Sequence, residues 1–198
     1  MTNTVPRLLA KSALAMALAG ATLWAQAETF SCASGSVADC ALATSTLSWS
    51  WDGSFFTLTN TGSGYVSEVY FDLGAGMTAS FVSGVGTVNF TLGASPGSLP
   101  GGVSVGFVSD AGFDSDPGKG PPVDGIDMGE SATFQITGAS LSSFLSGDLA
   151  AGAHVRSLVT SSASVVTLTS AVPEPGTYAL MLAGLGVVGW VSRRRRPA

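Results

Sequence analysis

Six carboxylates crowd into a stretch rich in glycine and proline: Asp110, Asp114, Asp116, Asp124, Asp127 and Glu130. Hard oxygen ligands on a flexible loop suit Ca²⁺. The spacing is not that of an EF-hand, because Asp114-Ser115-Asp116 runs into Pro117-Gly118-Lys119 with no continuing ladder of oxygen ligands. The competing reading is a solvated acidic loop, with Lys119 as a weak surface counter-charge. Calcium is the one cofactor these residues suggest; otherwise none is expected. His154 is the only histidine. A Ser-His-Asp arrangement needs a positioned nucleophile, and no Gly-x-Ser-x-Gly elbow lies between a strand and a helix. Carboxylate pairs for glycoside hydrolysis are set in space and leave no spacing signature. No catalytic residue is assigned, His154 is expected to be a half-buried strand residue, and the chain is expected to be non-enzymatic.

A different chemistry is written into the C-terminus. Val172, Pro173, Glu174 and Pro175 precede an uncharged apolar run, Thr177 to Ser192, and then Arg193, Arg194, Arg195 and Arg196. Two prolines hold an extended segment that a protease groove can read. As an α-helix the run would rise about 24 Å at ~1.5 Å per residue. That is short of a ~30 Å hydrocarbon core, and snorkelling arginines with local thinning close the gap. The arginines resist translocation and stay cytoplasmic. At the other end, Arg7 and Lys11 precede an apolar run and Ala25-Gln26-Ala27, the pattern of a signal peptide cleaved after Ala27. The expected organisation is a signal peptide over 1–27, a body over 28–171, and a sorting segment over 172–198.

The motif, the apolar run and the arginine end, in that order, resemble the PEP-CTERM sorting signal of exported proteins of Gram-negative bacteria. The resemblance implies recognition and cleavage by an exosortase, a membrane-embedded enzyme, after signal peptidase has removed the leader. It also implies a transient anchor in the inner membrane and then a place at the cell surface or in the biofilm matrix. In the body, Leu58-Thr59-Asn60-Thr61, Val66 to Asp72, Leu99-Pro100-Gly101-Gly102, Asp127 to Ser131 and Ala153-His154-Val155 resemble a body type recurring among such proteins. That likeness bears on fold rather than activity.

Between residues 28 and 172 only Lys119 and Arg156 are basic, against twelve acidic residues, so the body carries −10 compared with −5 for the whole chain. Such a surface repels nucleic-acid phosphates, and no nucleic-acid partner is expected. Cys32 and Cys40 form an even pair in an exported chain, so a disulfide is expected, worth about 2–3 kcal/mol by loop entropy. No histidine or further cysteine lies near enough in sequence to complete a zinc site.

The elements that must position these groups read as β throughout. Thr46 to Trp51 alternates with period two, Asp52-Gly53 signals a type I′ hairpin, and Ser54 to Asn60 returns. Gly64 to Asp72, Ser80 to Val82, Thr87 to Leu92, Val103 to Val108, Ser131 to Thr137, His154 to Val159 and Ala163 to Thr169 read as further strands. Leu141 to Leu149 has helical spacing. The pattern predicts an all-β fold, an antiparallel β-sandwich of Ig-like or similar type, with a partly open barrel as the alternative. Two functions from different classes fit: a non-enzymatic surface or matrix protein, or an exopolysaccharide-binding or weakly carbohydrate-active module. Trp49 and Trp51 separate them, since sugar stacking needs exposed rings whereas a structural core buries them.

Overall fold

Alternating Leu47, Trp49 and Trp51 and the facing Phe56 and Leu58 form the hairpin that seeds one sheet. A computed structural model describes residues 29–115 and 124–167. In chain order these form β1 (Phe30–Ser34), α1 (Val37–Thr46), β2 (Leu47–Trp51), β3 (Phe55–Asn60), β4 (Tyr65–Leu73), β5 (Thr78–Val85), β6 (Thr91–Leu92) and β7 (Ala111–Asp114). There follow β8 (Ser131–Thr137), α2 (Leu141–Ser146), β9 (Leu149–Arg156) and β10 (Ser162–Thr167), with a 3₁₀ turn at Gly102–Val105 before β7. All strand pairs are antiparallel. One sheet has the order β1-β10-β9-β4-β7-β6 and the other β2-β3-β8-β5.

The fold is an all-β sandwich. Val66, Val69, Phe71, Phe113, Ala153 and Val165 point inward from the larger sheet, against Trp49, Phe56, Leu58, Phe134 and Ile136 from the smaller. Aromatic pairs bridge the layers: Phe71 to Phe134 at 5.3 Å, Phe56 to Phe71 at 5.5 Å and Phe113 to Phe134 at 5.1 Å between ring centroids. Such pairs add about 0.5–1.5 kcal/mol each beyond area burial. Helix α2 plugs one end of the sandwich, where the Phe144 ring lies tilted 4.8 Å from Trp49 and edge-on 5.3 Å from Trp51.

Several expectations need correction. Val103 to Val108 is not a strand. Left-handed Gly101 and Gly106, at φ 76° and 77°, bracket the 3₁₀ turn there, and alternation alone cannot tell the two apart. The β2–β3 turn centres on Gly53 and Ser54, because Asp52 N donates to Phe55 O at 3.2 Å. Only Gly53 has positive φ, so the turn is not type I′. Asp52 Oδ1 takes the Ser54 and Phe55 amides instead. β9 begins at Leu149 and ends at Arg156, earlier than expected, and β6 keeps only two residues of the Thr87 to Leu92 run. β1, α1 and β7 were not anticipated, and β7 places Asp114 at a strand end where a loop was expected. Residues 168 and 169 of the last expected strand lie outside the described residues. So do the leader, the C-terminal motif, the apolar run, the arginines, Asp116 and Lys119.

Candidate functional site

The outward face of the six-stranded sheet carries a polar row that the topology assembles from four strands. Ser164 of β10, His154 of β9, Glu68 of β4 and Asp114 of β7 are successive register partners. A bulge in β4 between Val66 and Glu68 turns Glu68 to this face while Val66 and Val69 stay in the core. Glu68 is only 2 % exposed. Its carboxylate accepts from Arg156 Nη2 at 2.5 Å and from the Ser67 hydroxyl. His154 Nδ1 and Ser164 Oγ share a hydrogen bond at 3.0 Å.

Burial sets the electrostatics. It pushes the Glu68 carboxyl above the usual glutamate range, against the opposing pull of the Ser67 hydroxyl and the Arg156 guanidinium. It lowers His154 to about 4, with Arg156 adding to the effect, so the imidazole is neutral near pH 7. Ser164, at the β10 end of this row, is fully buried, so its hydroxyl is closed to a substrate.

Tyr70 occupies the next outward row, and its neighbours on both sides are glycines. Its register partners are Gly112 on β7 and Gly152 on β9. A Cβ at Gly112 would stand 2.8 Å from Ala94 Cβ and 3.1 Å from the Tyr70 ring, and one at Gly152 would stand 2.7 Å from Leu99 Cδ2. The bare glycines let the segment after β6 lie on the sheet, where Leu99 and Phe107 bury against Tyr70 and Val166. Tyr70 donates its hydroxyl to Pro96 O at 2.7 Å, and Ser95 N donates to Asp114 Oδ2 at 3.4 Å. Gly93-Ala94-Ser95-Pro96-Gly97 matches Gly-x-Ser-x-Gly, but it sits in this covering segment and not on a strand-to-helix elbow.

The five described carboxylates of the acidic stretch are distributed. Asp110 Oδ2 takes the Leu73 amide at 2.8 Å, next to the end of β4. Asp114 joins the polar row. Glu130 takes the amides of Asp127 and Thr87 at 3.0 and 2.9 Å and so closes its own turn. Asp124 contributes its carbonyl to Asn89 N. Among the described residues no three acidic, histidine or cysteine side chains gather as a metal site.

Cys32 of β1 and Cys40 of α1 form a disulfide with Cα atoms 5.5 Å apart. Next to it, Ser36 caps α1 and Asp39 is buried beneath Thr160 of the β9–β10 turn. Sequence reasoning passed over Glu68, Tyr70 and Asp39. The Ser36-x-x-Asp39 spacing is a readable helix-start signal, whereas Glu68 and Tyr70 depend on strand register. Trp49 is 3 % exposed and Trp51 is half-buried against the same core. No phenylalanine, tyrosine or tryptophan among the described residues is exposed.

The family model of the PEP-CTERM protein-sorting motif matches residues 171–196. The chain carries a PEP-CTERM sorting motif. It spans the Pro173-Glu174-Pro175 triplet, the apolar run and the arginine end. The motif marks an exported protein, sorted to the cell surface and processed by an exosortase. No curated protein and no solved structure gives a significant match to the chain. Among the described residues no helix is long and apolar enough to cross a membrane.

Proposed function

We propose that this PEP-CTERM chain is a non-enzymatic protein of the cell surface or biofilm matrix, released from a transient membrane anchor by exosortase cleavage at Val172 to Pro175. The observation that carries the reading is the sorting-motif match at the C-terminus. Residues 177–192 serve as the temporary span, Arg193 to Arg196 hold its cytoplasmic end, and signal peptidase removes residues 1–27. The disulfide supports an oxidising destination. No described aromatic ring is exposed, Trp51, Phe55, Tyr65 and Phe81 being half-buried and the rest buried, which supports a structural body over a sugar-stacking one.

The test is the intact mass of the protein recovered from cells with and without the sorting enzyme. A mature product lacking both residues 1–27 and the arginine end, restored to an arginine-bearing form when the enzyme is deleted, is the expected result. An arginine end retained in both strains would overturn processing. Binding of the released protein to a polysaccharide array would overturn the purely structural reading of the body.

A further inference from the structure

Phe30 and Thr167 are register partners at the start of β1 and the end of β10, so both ends of the described body leave the sandwich at the same place. Ala151 N donates to Thr167 Oγ1 at 3.0 Å, which fixes the beginning of β9 there too. Helix α2 leads directly into β9 and plugs this end through Phe144. Its other face is apolar and uncovered: Leu141 is 51 % exposed and Leu145 is 42 % exposed, one turn apart.

We infer that this end of the sandwich rests on the lipid surface that holds the tail, with Leu141 and Leu145 as the contact. The inference rests on the reading of residues 177–192 as a membrane span. From Thr167 to Thr177 there are ten residue steps, at most about 34 Å at ~3.4 Å each. A body of this size is roughly 40 Å across, from a radius of gyration near 15 Å. The tether therefore keeps the body within its own width of the bilayer and attaches it by the Thr167 end. Two leucines bind membrane weakly by themselves, but a short tether holds them near the surface at an effective concentration of about a millimolar.

The contact is apolar and not electrostatic. Arg156, the one basic residue among those described, lies at the far end of β9, while Asp148 lies beside α2. Zwitterionic lipid is therefore the favoured surface, and anionic lipid weakens the contact.

The test uses the full-length chain in phosphatidylcholine vesicles carrying spin-labelled lipid. Single cysteines are introduced by Leu145→Cys, by Val85→Cys at the opposite end of the smaller sheet, and by Leu182→Cys in the tail, each bearing an environment-sensitive fluorophore. Both body positions are exposed, so neither substitution disturbs the core. Lipid quenching at 145 is expected to exceed that at 85 at least threefold, and to fall when anionic lipid is added. Equal quenching at 145 and 85 with strong quenching at 182 overturns the docking and leaves the span standing. Absence of quenching at 182 overturns the span, and the docking with it.

Discussion

Asp39 and Thr160 are 121 positions apart and joined by two hydrogen bonds. The Thr160 amide donates to Oδ1 at 2.9 Å and the Thr160 hydroxyl donates to Oδ2. One carboxylate thereby closes the start of α1 and clamps the β9–β10 turn. These Thr160 bonds, the side-chain one foremost, hold Asp39 below the ordinary aspartate range. As pH falls, the unfolded chain takes up the proton first. The stabilisation is full above about pH 4 and is lost as pH drops through the lower folded value. Asp39→Asn is expected to lower Tm at pH 7 and to flatten its acid limb. Thermal unfolding from pH 2 to 7 checks this, and parallel limbs in the two proteins would refute it.

His154 titrates in the opposite environment. Its folded value near 4 lies below the ordinary ~6.5, so stability is full above pH 6.5 and declines as pH falls towards 4. The loss is on the order of 2 kcal/mol after solvent screening. The groups around it are Ser164, Glu68, Asp114 and Arg156. Because the chain has one histidine, its imidazole C2 proton is unambiguous by NMR. Titration near 6.5 in the folded protein would contradict the buried, neutral assignment.

The ion pair on the same face is asymmetric, since the Arg156 side chain is 41 % exposed and that of Glu68 is 2 % exposed. Arg156→Gln strands a buried carboxylate and is expected to cost about 2 kcal/mol. Glu68→Gln leaves a guanidinium that water can reach, at a cost below about 1 kcal/mol. With its pKa raised by burial, Glu68 contributes most in acid and less as pH rises through the folded value. Urea unfolding of both variants orders the two costs, and the reverse order would reject the asymmetry.

Gly112 is where the covering segment meets the sheet. In Gly112→Ala the new methyl meets Ala94 Cβ, which can yield only by moving backbone. The expected destabilisation is about 1–3 kcal/mol. Fluorescence or circular dichroism during denaturation reads it directly. A neutral result would mean that the segment does not pack on Tyr70 as described.

Reducing the Cys32–Cys40 bridge frees a loop of eight-residue separation. The loop-entropy relation puts the loss at about 2.5 kcal/mol. A Cys32→Ser, Cys40→Ser double variant should unfold several degrees lower, with its secondary structure unchanged below the transition. An unchanged Tm would show that β1 is held by the β10 ladder alone.

Strands with one polar and one buried face were readable, because period-two alternation in Leu47 to Trp51 and in Ser131 to Thr137 is a direct imprint of burial. The same signal misled at Val103 to Val108, where only Phe107 packs, on the outward face of the larger sheet, while Val103, Val105 and Val108 are exposed. Helix α1 was missed because Val37, Thr44 and Thr46 dilute its helical character, although Ser36 and Asp39 mark its start. The Glu68, His154 and Tyr70 rows were out of reach, since they exist only once four separate strands have chosen a register.

β1 is an edge strand whose ladder partner is the last strand of the described body. During export the chain emerges from its beginning, so Phe30–Ser34 waits unpaired until Ser162–Thr167 has also crossed. Completion of the larger sheet is therefore timed by arrival of the very segment that precedes the sorting motif. A finished fold reports that translocation of the body is over.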